Sequence, residues 1–296
     1  MTNDIVEQAE LAINSGNLET ARSLLPMMVD GEKFFVESLI SISESQIETA
    51  LNSIEKCINV VRSPKSRDAI LEARAKMIRG LARSSIGEIT EGGADLRWSM
   101  DRLGAISAGS DEHGIAILNV AAWHRQQSEI VMSLATHSEI ARESTHSPEI
   151  VAISRQRVAS IHAELEDYVG ALRHYWTAWK LSVSSGIDAI AEISCLHILD
   201  IGLTDVNDSS LRLDEQVNNA SPRSKSEKSS ASIHPEDLLE ALDWITPRSL
   251  EDISQNHRPD LSLIIESHKI LNMELPEILI LNKNLIQDPE VAKLLQ

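Results

Sequence analysis

The sequence predicts an all-α protein of about five helical hairpins, followed by a flexible linker and a short helical C-terminal segment. Three observations carry this expectation. Apolar residues recur at the three-to-four spacing of an amphipathic helix and not at the alternation of a half-buried strand. Aromatic residues make up only 3% of the 296 positions, whereas a β-sandwich or barrel draws heavily on aromatic and β-branched residues. The 12 Gly and 9 Pro fall mostly between the periodic segments, where they act as punctuation.

The clearest hairpin runs from Ala9 to Leu25, a helix, a Gly16-Asn17 turn and a second helix. Val158 to Ala178 repeats the scheme, and Ser38 to Cys57 gives a third copy. In each second helix an apolar residue (Leu18, Ile47, Tyr168) is followed three positions later by Ala21, Ala50 or Ala171, then by Leu25, Ile54 or Tyr175. Met28, Cys57 and Ala178 complete the series. Such positions share one helix face, where a small residue permits close helix approach and the large one fills the gap beyond it. Ala9, Ser38 and Ala159 stand twelve positions before the key alanines, in the first helices. Two less regular pairs are expected between these. One joins a helix ending near Ile86 to another from Ala94 to Ile106, and one turns at Gln126-Gln127-Ser128, with Ser133 at the key position.

This small–large–small series after a Gly-Asn type of turn resembles the tetratricopeptide repeat, over roughly residues 3–203. The resemblance implies an α-solenoid with a concave groove lined by first helices, suited to an extended peptide or a partner helix. In the best-formed repeat, Gln156, Arg157, Ser160 and Glu164 would line that groove. Chaperone-binding members of this superfamily clamp a C-terminal carboxylate with Lys, Asn and Arg. Here the corresponding positions hold Val6, Glu10, Val36, Ile153 and Arg157, so that clamp is not expected.

Thr204 to Ser232 is rich in Ser, Asn and charge and reads as a solvated linker. Its basic residues Arg223, Lys225 and Lys228 would be its first tryptic sites. Pro235 followed by Glu236 and Asp237 opens a further helix. Shorter helices are expected over Asp260–Asn272, Pro276–Ile286 and Pro289–Leu295. The expected division is therefore a repeat array (1–203), a linker (204–232) and a C-terminal helical segment (233–296).

With 27 basic against 45 acidic residues the net charge is −18. Counterion release from a phosphate backbone needs a basic surface, so nucleic acid is not the expected ligand, and a protein partner with a basic contact surface is. The two cysteines, Cys57 and Cys195, lie far apart in apolar helical stretches, which argues for buried free thiols and a cytoplasmic setting. No apolar run reaches the roughly 18 residues of a membrane span, and no membrane partner is expected.

Residues Arg173 to Lys180, with Tyr175, Trp176 and Trp179 beside Arg, His and Lys, offer the composition of a cation or base cage. Their helical stripes fit burial between neighbouring helices better. His113, His124, His137, His146, His162 and His174 lack the spacing of a zinc site. Gly87, Gly92 and Gly93 lack the Lys-Ser or Lys-Thr of a phosphate loop. No metal, cofactor or catalytic constellation is expected. The function read from the sequence is a non-catalytic interaction scaffold. The alternatives are self-assembly or auto-inhibition, with the C-terminal helices docked on the array, and an enzyme on a helical scaffold.

Overall fold

The computed structural model describes residues 2–140, 145–219, 232–250, 260–283, 286 and 289–295. Among these the protein is all-α, with no strand beyond an isolated bridge between Val206 and Ile233. The chain divides into two compact units, Met1–Ser147 and Pro148–Gln296.

The first unit holds α1 (Thr2–Asn14), α2 (Leu18–Leu24), α3 (Asp30–Ser43), α4 (Ile47–Arg62), α5 (Ala69–Ser85), α6 (Ile89–Ser107), α7 (Asp111–Gln126) and α8 (Ile130–His137). They pair as α1/α2, α3/α4, α5/α6 and α7/α8, with α4 packed on α5, α6 on α7, and α1 on α3. Phe35, Ile54, Cys57 and Ile58 centre one buried cluster, and Met77, Leu96, Leu103 and Val120 another.

In this unit the structure corrects the start of one helix. α6 begins at Ile89, not Ala94, so Gly92 and Gly93 lie inside a helix. A Gly pair costs helix propensity, and here close packing compensates. A Cβ at Gly92 would stand 2.7 Å from the Gly80 carbonyl oxygen on α5, and one at Gly80 would stand 2.8 Å from the Gly92 carbonyl. A Cβ at Gly93 would run into the indole of Trp123 on α7.

The second unit holds α9 (Pro148–Glu164), α10 (Tyr168–Ser185), α11 (Asp188–Gly202), α12 (Leu213–Asn219), α13 (Pro235–Leu250), α14 (Asp260–Ile270), α15 (Glu277–Leu281) and α16 (Pro289–Leu294). α9 pairs with α10, α10 packs on α11, and α13 lies against α11 and α14. Residue 203 lies inside this unit, not at its edge. Leu213, Ile233, Leu238 and Ile245 join Trp176 and Ile198 in one buried cluster, so apolar burial ties these C-terminal helices to α10 and α11. The segment expected as a linker is helical over Leu213–Asn219, because Leu213 is buried and Val217 packs on the same cluster. Residues 220–231, with Arg223, Lys225 and Lys228, lie outside the described residues. The helix expected over Pro276–Ile286 shortens to Glu277–Leu281.

Each unit contains one fully buried free thiol, Cys57 in the first and Cys195 in the second. Burial pushes the Cys57 thiol up to about 12 and raises that of Cys195, whose Sγ donates to the Ala241 carbonyl.

Candidate partner-binding face

A common register runs through the hairpins. Small residues twelve positions apart stand where the two helices meet: Ala9/Ala21, Ser38/Ala50, Gly80/Gly92, Ala121/Ser133 and Ala159/Ala171. All ten are buried. Two independent packing observations support the crossings. Ser133 Oγ donates to the Ala121 carbonyl at 2.8 Å, and Gly80 and Gly92 leave no room for a Cβ. The key residues 21, 50, 92, 133 and 171 recur at intervals of 29, 42, 41 and 38.

The turns keep the same register. Five positions before each key residue the backbone is left-handed: Gly16 (φ +77°), Ser45 (+60°), Gly87 (+90°), Ser128 (+60°) and Glu166 (+61°). Only two of the five are Gly, which is why the sequence alone marks the turns unevenly. In the last three hairpins the turn is also clasped. A base nine positions before the key residue reaches an acid four before it: Arg83–Glu88 at 3.6 Å, His124–Glu129 at 2.6 Å and His162–Asp167 at 2.6 Å. His162 thus bridges the end of α9 to the start of α10. Among the described residues no three His, Cys, Asp or Glu side chains gather as a metal site requires.

The register assigns equivalent positions on the first helices. The expected groove residues Gln156, Arg157, Ser160 and Glu164 all lie on α9, half-buried except for the exposed Glu164. Their equivalents in the first unit are mostly apolar. Gln156 corresponds to Val6, Phe35, Met77 and Leu118, all buried; Ser160 corresponds to Glu10, Leu39, Leu81 and Ala122. Of these positions the first unit leaves Leu81 39% exposed and Leu39 half-buried, with Ile42 also half-buried on α3. Arg74 on α5 pairs with Glu10 on α1, and its guanidinium lies 4.9 Å from the centre of the Phe35 ring on α3. One side chain on α5 thus reaches both α1 and α3.

The opposite side of α5 is anchored by buried charge. Arg79 makes a two-pronged bond to Asp95 on α6 at 2.7 and 2.6 Å, and Arg83 reaches the same carboxylate at 2.9 Å. Glu55 on α4 accepts from Arg79 at 2.6 Å. Lys76 lies 3.6 Å from the centre of the Trp98 ring, and burial lowers its pKa. These groups are satisfied by one another and fix α5 against α4 and α6.

The Trp-rich stretch of α10 is core. Trp176 and Trp179 are 1% and 2% exposed and meet edge to face, with ring centres 5.0 Å apart. Lys180 lies 4.5 Å from both ring centres and pairs with Glu240.

Arg74, Leu81 and the turn clasps are not legible in the sequence, because they depend on which side chains meet across neighbouring helices. No described helix is long and apolar enough to cross a membrane. No protein-family model matches this sequence, and no curated protein matches it.

Proposed function

We propose that the protein is a non-catalytic interaction scaffold, an α-solenoid of tetratricopeptide-like hairpins that holds an extended peptide or helix of a partner on the exposed face of its first helices. The observation that carries the reading is the shared register, small pairs twelve apart and a left-handed residue five before the second of each pair. Within one unit, a repeated register of this kind favours first helices that lie side by side and share an outer face. In the first unit that face combines Leu39, Ile42 and Leu81 with the Glu10–Arg74 pair. A net charge of −18 favours a partner with a basic contact surface and an association rate that falls with salt. Buried reduced thiols in both units support a cytoplasmic setting.

Selection of a random peptide-display library on the full chain tests this. Basic peptides with one or two apolar anchors are expected, and Leu81→Glu should weaken them at least tenfold without lowering Tm. Failure to enrich any peptide, or indifference of the enriched peptides to Leu81→Glu, would overturn the reading.

A second reading, auto-inhibition by docked C-terminal helices, is favoured by one specific observation: α13 and α14 pack against α11 within the same unit. Chain self-assembly is the related possibility, and light scattering after size exclusion separates the two, since docking within one chain leaves a monomer.

A further inference from the structure

α12 contributes little to the core it rests on. Of its seven residues only Leu213 is buried, with Val217 half-buried one turn later; Asp214, Glu215, Asn218 and Asn219 are exposed. A helix this short does not hold itself in water, so its contacts hold it. Those contacts are few and specific. Leu213 enters the cluster that contains Trp176 and Leu238. Asp214 accepts from the Trp176 indole N–H on α10 at 2.7 Å. Arg212, just before the helix, pairs with Glu236, Asp237 and Glu240 on α13.

Asp237 is the informative member. Its side chain is fully buried, and its bonds come from Arg212 and from the Leu213 amide, which donates to Oδ2 at 2.8 Å. A buried carboxylate stripped of such partners is strongly unfavourable. The cleft between α10 and α13 therefore cannot stand empty at low cost, but it can exchange one occupant for another that brings the same groups.

We propose that α12 is an internal pseudo-ligand seated in a helix-binding cleft formed by α10 and α13, and that a partner helix with the pattern Arg-Leu-Asp-x-x-Val takes its place. The pattern is the one α12 itself shows, Arg212, Leu213, Asp214 and Val217. Arginine compensates Asp237, the two aliphatic residues fill one helix face four positions apart, and the aspartate accepts from Trp176. This cleft is separate from the first-helix face proposed above, and the inference does not depend on that face binding anything.

The test uses the full chain and a fluorescent peptide of residues 209–219. In the double variant Arg212→Ala, Leu213→Ala, α12 loses its hold, and the peptide should bind saturably, at least tenfold more tightly than to the unaltered chain, whose cleft is filled. The same peptide carrying Leu213→Asp should not bind. A folded double variant that ignores the peptide, or an unaltered chain that binds it equally well, would overturn the proposal. Hydrogen exchange of the unaltered chain decides the matter even where the double variant does not fold. The amides of residues 216–219 should exchange at least tenfold faster than those at the centres of α10 and α13. Equal protection would make α12 a permanent part of the core and end the proposal.

Discussion

The Nε2 of His146 lies 3.3 Å from the Nδ1 of His113, and that same Nδ1 accepts the amide of Gly109 at 3.3 Å. The Nδ1 of His113 can accept only while its imidazole is neutral. Burial lowers the pKa of both rings, and their proximity lowers that of His113 further. An unfolded imidazole protonates near pH 6.5, whereas these two resist until lower pH. Their contribution to stability is therefore present above about pH 6.5 and is lost as pH falls through the depressed folded values. Tm should drop as pH falls below about 6.5. His113→Phe should flatten that drop, and an unchanged slope would count against the neutral pair.

Gly92→Ala sets helix propensity against packing. Propensity favours Ala over Gly by about 1 kcal/mol, but the new Cβ would meet the Gly80 carbonyl oxygen at 2.7 Å. Backbone cannot give way as a flexible side chain can, so a net loss of about 1–3 kcal/mol is expected. Urea denaturation followed by circular dichroism measures it, and a stabilised variant would show that α5 and α6 are not in this close register.

The opposite sign is expected at two turns. Ser45 and Ser128 both hold φ +60°, a conformation that side chains disfavour and glycine does not. Ser45→Gly and Ser128→Gly should each raise stability by about 0.5–1 kcal/mol, after the greater chain entropy of glycine is set against the relieved strain. Ser→Ala at the same sites is the control, and should not stabilise.

Ala171→Leu probes the fifth hairpin. Ala171 and its partner Ala159 are fully buried, so the added carbons must force α9 and α10 apart at a cost of about 1–3 kcal/mol. An unchanged denaturation midpoint would mean that this crossing is looser than its burial indicates.

Asp95→Ala removes the acceptor shared by Arg79 and Arg83. Arg79 is only 13% exposed in its side chain, and it would retain Glu55 alone among these acids. A loss of about 2–3 kcal/mol is expected, lower than for a wholly buried pair broken on one side because Glu55 is half in water. Raising salt should change it little, since buried pairs are weakly screened.

Much of the fold was legible because small residues twelve apart and apolar periodicity are local signals. Ala21, Ala50, Ser133 and Ala171 were placed from spacing alone, and all four are buried. Gly92 was not, because a Gly pair looks like a turn until the Gly80 backbone is seen against it. α12 carried a signal, Leu213 and Val217 four apart, that a surrounding run of Ser, Asn and acids obscured. The boundary between the two compact units, after Ser147, is hidden in the sequence for a different reason. Whether α13 joins α11 or stands apart depends on which distant apolar residues meet, and no local pattern encodes that.

The two inward thiols give each unit its own clock. A thiol-reactive probe cannot reach Cys57 or Cys195 while its helices are closed, and no other cysteine competes for it. The rate at which each sulfur is labelled therefore counts the openings of one unit alone. If a ligand slows one labelling rate and leaves the other unchanged, the sulfur that falls silent names the half of the chain it has seized.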